Sequence, residues 1–87
     1  MHIMRTLHIP ATYWDDFAER CPVDSPEQMP VEVGRAGRRV TVQADETQAA
    51  YLLSDARFYA EGNTDDTPRA VISGAKRAVE LLAACRA

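Results

Sequence analysis

Few residue types in this chain can do chemistry, and their spacing keeps most of them apart. His2 and His8 are the only histidines. Six residues of extended chain hold them about 20 Å apart, too far to share a metal ion. The two cysteines, Cys21 and Cys85, show no disulfide framework and no zinc-ligand spacing. Cys85 continues an apolar series with Val71 and Ala78 and reads as a small core residue. Cys21, where a short helix meets Pro22, reads as a reduced, half-buried thiol. His8 and Cys21 as base and nucleophile would need a third, orienting group, and the sequence offers none. Asp15-Asp16 and Asp65-Asp66 are adjacent carboxylates, not pairs at helical spacing. The second pair precedes a helix, where negative charge is stabilising, and "GNTDDTP" lacks the ligand alternation of a calcium loop. There is no P-loop, dinucleotide fingerprint or nucleophile elbow. The expectation is a protein without catalytic residues, metal, cofactor or small-molecule substrate.

Size and charge narrow the classes further. Eighty-seven residues make one domain over 1–87, with a thin core and little room for an enclosed pocket. Thirteen acidic residues outnumber ten basic ones, for a net charge of −3. A dedicated nucleic-acid binder usually has the opposite balance, because phosphate neutralisation supplies most of its affinity. All the basic residues but Lys76 are arginine and alanine is abundant, as in GC-rich coding sequences, so an arginine here carries less functional weight than usual. No apolar run approaches a membrane span, and "MHIMRTLHIP" is too short and polar for a signal peptide. A soluble, cytoplasmic protein is expected.

The elements that would position these residues follow from periodicity. His2 to Ile9 alternates, with Ile3, Leu7 and Ile9 on one face and Arg5 as an exception at the sheet margin; Pro10 ends the strand. Tyr13, Trp14, Phe17, Ala18 and Cys21 recur at helical spacing, so a short helix spans 13–20, with Thr12 and Asp15 as a capping box. "CPVDSPEQMP" is a loop. Asp45 caps the next helix, 46–60, with Gln48 at its third position; Ala49, Leu52, Leu53, Ala56, Tyr59 and Ala60 form its core face, and Gly62-Asn63 stops it. Thr67 and Pro68 open a last helix, about 68–85, with a stripe of Val71, Ile72, Ala75, Ala78, Val79, Leu82 and Cys85. Gly74 inside it costs about 1 kcal/mol relative to alanine. With Ala70 and Ala78 it forms a ridge of small residues on which the Ala49/Ala56/Ala60 surface would approach. The fold class is α+β: a three-stranded antiparallel sheet in the order β-α-β-β-α-α, the two C-terminal helices packed on one face and the short helix capping an edge.

"VEVGRAGRRVTVQAD" is the one basic stretch and reads as a hairpin. Pairing Val33 with Val40 and Val31 with Val42 keeps the valines on one face and centres the loop on Ala36-Gly37. Gly37 supplies a positive φ, and Arg35 and Arg38 splay into water. Arg35, Arg38 and Arg39 are the candidate anion or nucleic-acid contacts, disfavoured because no aromatic base-stacking partner lies within the hairpin.

The helix 46–60 is unusual in being apolar on two sides. Tyr51 and Phe58, with Ser54 between them, lie nearly opposite its core stripe, where a surface helix should be polar. Such aromatics are enriched as anchors at protein interfaces. Tyr51, Ser54, Asp55, Arg57 and Phe58 are therefore the candidate contacts for a protein partner or, across a twofold axis, for a second copy of the chain in a homodimer.

The stretches "LLSDARFYAEG" and "VISGAKRAVELL" resemble small proteins of unknown function from actinobacteria and their phages. In that family an N-terminal strand, an acidic-aromatic segment and a basic hairpin precede an S-D-A-x-aromatic-Y helix and a closing helix. Where some of those proteins have Asp-Asp-His, this chain has Asp15-Asp16-Phe17, a departure that puts any histidine-centred role in doubt. The resemblance implies no known activity and carries over no functional residues. It implies a phage or mobile-element accessory protein.

Overall fold

A computed structural model describes residues 4–20, 29–62 and 66–86, with side chains to residue 84. His2, Cys21, Asn63, Asp65, the loop over 21–28 and the side chain of Cys85 lie outside the described residues. The elements run β1 (Arg5–Pro10), α1 (Ala11–Arg20), β2 (Val31–Ala36), β3 (Arg39–Ala44), α2 (Glu46–Ala60) and α3 (Arg69–Arg86). The order is the expected β-α-β-β-α-α, and the class is α+β.

The sheet is antiparallel with β3 in the centre, in the order β1-β3-β2. Period-two alternation works as expected between β1 and β3: Leu7 faces Val42, Ile9 faces Val40, and all four are buried. Arg5, opposite Ala44 at the margin, is exposed. The opposite sheet face carries Thr6, His8, Thr41 and Gln43, with His8 Nδ1 3.3 Å from Thr41 Oγ1.

The hairpin departs from expectation. Val40 is opposed by Arg35 and Val42 by Glu32, and Val33 is the extra residue of a bulge between Glu32 and Gly34. The tight turn is Gly37-Arg38, closed by Ala36 opposite Arg39. Gly37 adopts φ +60° at the first central position, where the two-residue hairpin turns take a positive φ that glycine adopts without strain. Val31 and Val33 consequently stay 56% and 51% exposed, and Glu32 and Arg35 turn to the helix side. The reason lies in what covers β2 there. Helix α1 presents an indole N–H and the carboxylate of Asp15, which valines could not satisfy and Glu32 and Arg35 do.

Helix α1 also begins earlier than expected. It follows β1 without a connector, and its first amide, on Ala11, donates to the carbonyl of Arg38 at the hairpin turn (2.8 Å). That bond does the work of a cap, so Thr12 lies inside the first turn. Helix α1 reaches the β2 edge, as expected, and also supplies core residues: Tyr13, Trp14 and Phe17 are all buried, with Trp14 and Phe17 rings stacked at 5.7 Å. Ala18, assigned to that core face, is exposed.

Helices α2 and α3 pack against the sheet and each other. The Asp45–Gln48 capping box is formed in both directions, each bond 2.8 Å, and Gly62 (φ +72°) ends α2. Ala49, Leu52, Leu53 and Ala56 of α2 and Val71, Ala75, Ala78 and Leu82 of α3 are buried, as their spacing predicts. Helix α3 begins at Arg69, the carbonyl of Pro68 accepting from Val71 and Ile72. Gly74 serves a different neighbour from the one expected. A Cβ there would collide with Thr12 Oγ1 and lie 3.0 Å from the Tyr13 amide nitrogen. The small residue admits the N-terminus of α1, not α2, and Ala70 is exposed beside it.

Candidate protein-docking face

Two polar arrays fix α1 in place and decide which side chains of the candidate face remain presented. The first joins α1 to α2. The Tyr13 hydroxyl donates to Asp55 Oδ2 (2.6 Å), and Arg20 grips the same carboxylate from Nη1 and Nη2 (3.1 and 2.9 Å). Arg20 Nε also donates to Asp16 (2.7 Å), and its guanidinium lies over the Tyr59 ring, 4.2 Å from the centroid. Bidentate geometry and a stacked guanidinium are what arginine offers and lysine does not. Burial, then the bond to Asp55, raises the Tyr13 phenol far above its usual range. Burial works against the Arg20 charge, but the bonds to Asp55 and Asp16 outweigh it and hold the guanidinium protonated.

The second array joins α1 to β2. Trp14 Nε1 donates to Glu32 (2.9 Å), and Arg35 bridges Asp15 (2.6 Å) and Glu32 (3.1 Å). The bond from Arg35 holds the Asp15 carboxyl below its ordinary value of 3.8. Arg35, then Trp14, does the same for Glu32, ordinarily 4.5. Arg35 is thus occupied within its own chain and does not splay from the tip. Arg38 and Arg39 are exposed. Of the three hairpin arginines considered as phosphate contacts, two remain presented.

On α2 the two-sided wheel is realised in space. Tyr51 is 41% and Phe58 48% exposed, and Ser54 and Arg57 between them are exposed as well. Neither ring is loose: Tyr51 meets Phe17 edge-on at 6.2 Å, and Phe58 meets Tyr59 edge-on at 5.4 Å. Tyr51 is therefore seated on a core ring and Phe58 on a half-buried one, and both keep part of their surface in solvent. Asp55 differs from its neighbours. With a side chain 12% exposed and both oxygens bonded to α1, it anchors the face from beneath. Periodicity placed Asp55 on α2 but had no means of naming Tyr13 and Arg20, which lie 42 and 35 residues away.

Other candidate chemistry stays dispersed. Among the described residues no group of three or more His, Cys, Asp or Glu side chains could hold a metal ion, and no helix is long and apolar enough to cross a membrane. Among those residues, too, every buried side-chain nitrogen or oxygen has a hydrogen-bond partner. Comparison with known protein families, curated proteins and solved structures finds no match to this chain.

Proposed function

We propose that this chain is a small non-enzymatic protein-interaction module that docks through the outer face of α2. The observation that carries the reading is the presentation of Tyr51 and Phe58, 41% and 48% exposed on one helix face. Rigid aromatics cost little ordering entropy on binding and supply large contact area, which is why they recur as anchors. Two features of the chain support the role. The rings rest on buried Phe17 and half-buried Tyr59, so the face is preorganised, and Arg57 supplies a charged rim. The reading places the protein in the cytoplasm, as an accessory factor of a phage or mobile element acting on a protein of its host.

The test is a paired substitution, Tyr51→Ser with Phe58→Ser. The expected variant keeps the circular dichroism and cooperative melting of the parent and loses association with the partner. Unfolding of the variant would show that the rings are core and would remove the docking face. Nucleic-acid binding through the hairpin would make itself known differently. A salt-dependent mobility shift of DNA or RNA, abolished by Arg38→Ala with Arg39→Ala, would move the function to the tip.

A further inference from the structure

We propose that Arg20 is the positioning residue of the docking face, joining the separate seats of Tyr51 and Phe58 from the last turn of α1. The inference rests on the face just proposed and names what sets its shape. The two rings lean on different helices: Tyr51 meets Phe17 of α1, and Phe58 meets Tyr59 of α2. One side chain reaches both supports. The Arg20 guanidinium carbon lies 4.2 Å from the centroid of the Tyr59 ring and 5.8 Å from that of Phe17, each within the ~6 Å at which a cation is attracted to a ring face. The same group closes through Nη1 and Nη2 on Asp55, which lies between Tyr51 and Phe58 along α2.

Arginine chemistry suits this task. The guanidinium is planar, with its N–H donors in the plane and its faces left for aromatic rings. Two bonds to Asp55 orient that plane relative to α2, and the Nε bond to Asp16 (2.7 Å) ties it to α1. With side chains 26% and 12% exposed, Arg20 and Asp55 are better shielded from water than the surface pair Arg77–Glu80, at 56% and 66%. Exposed pairs of the latter kind contribute little. A lysine ammonium would keep the charge opposite either carboxylate but has neither the fork nor a flat face.

Loss of this link acts on the face more than on the fold. Helix α2 keeps its Asp45–Gln48 capping box, and its stripe of Ala49, Leu52, Leu53 and Ala56 is buried in the apolar core. Phe17 keeps its contacts with Tyr13 and Trp14 in α1. What goes is the group that holds Tyr59 in register with Phe17, so Phe58 and Tyr51 lose their common frame. Presentation of the face is thereby governed from α1, a helix whose own aromatic rings are buried.

Arg20→Lys tests this in the full chain by fluorine NMR, with fluorotyrosine incorporated in one sample and fluorophenylalanine in another. Three tyrosines and two phenylalanines give few enough signals to assign each by substitution. In Arg20→Lys the signals of both Tyr51 and Phe58 are expected to move at least halfway toward their positions in the unfolded chain, while melting stays cooperative. Tyr59→Leu removes one seat only, and is expected to move Phe58 and leave Tyr51 in place. If Arg20→Lys does not fold, Asp16→Ala decides: it removes only the third bond of Arg20 and should shift both signals in the same direction by less. Signals that stay put in a folded Arg20→Lys protein would overturn the role of Arg20, since charge alone would then suffice. Movement of only one of the two signals, or no movement in Asp16→Ala where that variant decides, would overturn it too. None of these results removes the docking face, which falls if the Tyr51→Ser, Phe58→Ser protein unfolds.

Discussion

Replacing Gly74 by alanine sets two opposed effects against each other in one residue. In an isolated helix the change is favourable by about 1 kcal/mol. In this fold the added methyl group would overlap Thr12 Oγ1 and sit 3.0 Å from the Tyr13 amide nitrogen and 3.2 Å from Tyr13 Cβ. The hydroxyl can rotate away; the backbone of α1 cannot, because Ala11 is tied to Arg38 and Tyr13 to Asp55. Overpacking against a fixed backbone costs about 1–3 kcal/mol. The net expectation is a loss of up to about 2 kcal/mol, each kcal/mol lowering the melting temperature by about 4–8 °C in a domain of this size. Denaturant titration followed by the emission of Trp14, the single tryptophan, reads both terms, since α1 carries that ring. Thr12→Ala should restore part of the loss and leave the part due to the Tyr13 backbone, a coupling measurable in a double-mutant cycle. A Gly74→Ala protein more stable than the parent by the full propensity gain would refute the close seating of α1 on α3.

Asp55→Ala removes the acceptor shared by Tyr13 and Arg20 and leaves a half-buried guanidinium without it; a loss of about 2–3 kcal/mol is expected in denaturant titrations. Tyr13 has its phenol raised by burial and by Asp55, so the folded state keeps a proton that the unfolded state releases above about pH 10. That stability is complete below this pH and falls as the pH rises beyond it. Tyr13→Phe should therefore flatten the alkaline limb of the stability curve, and spectrophotometric titration of the parent should withhold one phenolate until unfolding. Asp15 and Glu32 have lowered values. Their contribution is complete above the ordinary 3.8 and 4.5 and disappears as the pH falls below them through the lowered values of the fold. Arg35→Ala should lower the melting temperature slightly at neutral pH, where the contribution is complete though the array is largely solvent-screened, and the difference from the parent should close as the pH falls through that acid window.

Much of this architecture is written in short-range pattern. The capping box needs only Asp45 and Gln48, three residues apart, and the buried stripes of α2 and α3 follow from helical spacing. The outward position of Tyr51 and Phe58 follows from the same wheel. What escapes is set by partners far along the chain. The valines of β2 invited an alternating register, but the bulge that breaks it leaves one local mark, Gly34 inside the strand. The polar demand that draws Glu32 and Arg35 inward comes from Trp14 and Asp15, on a different element. Arg20 lies off the apolar stripe of its helix, and Asp55 becomes its neighbour only after α1 and α2 dock. Gly74 inside a helix marks a point of close approach, yet nothing near it in sequence says which helix arrives.

The bulged rim of β2 has a consequence for how this chain behaves in company. A sheet ending in a bare, regular strand is a template on which further strands can be added without limit, the route to fibres. Here an incoming strand would meet an interrupted ladder at Val33 and a row of tethered charges, Glu32 and Arg35, already committed to α1. Extension would have to break that array and flatten the kink, so growth along this side is suppressed despite two valines in the open. The fold thereby discourages open-ended addition of strands along β2.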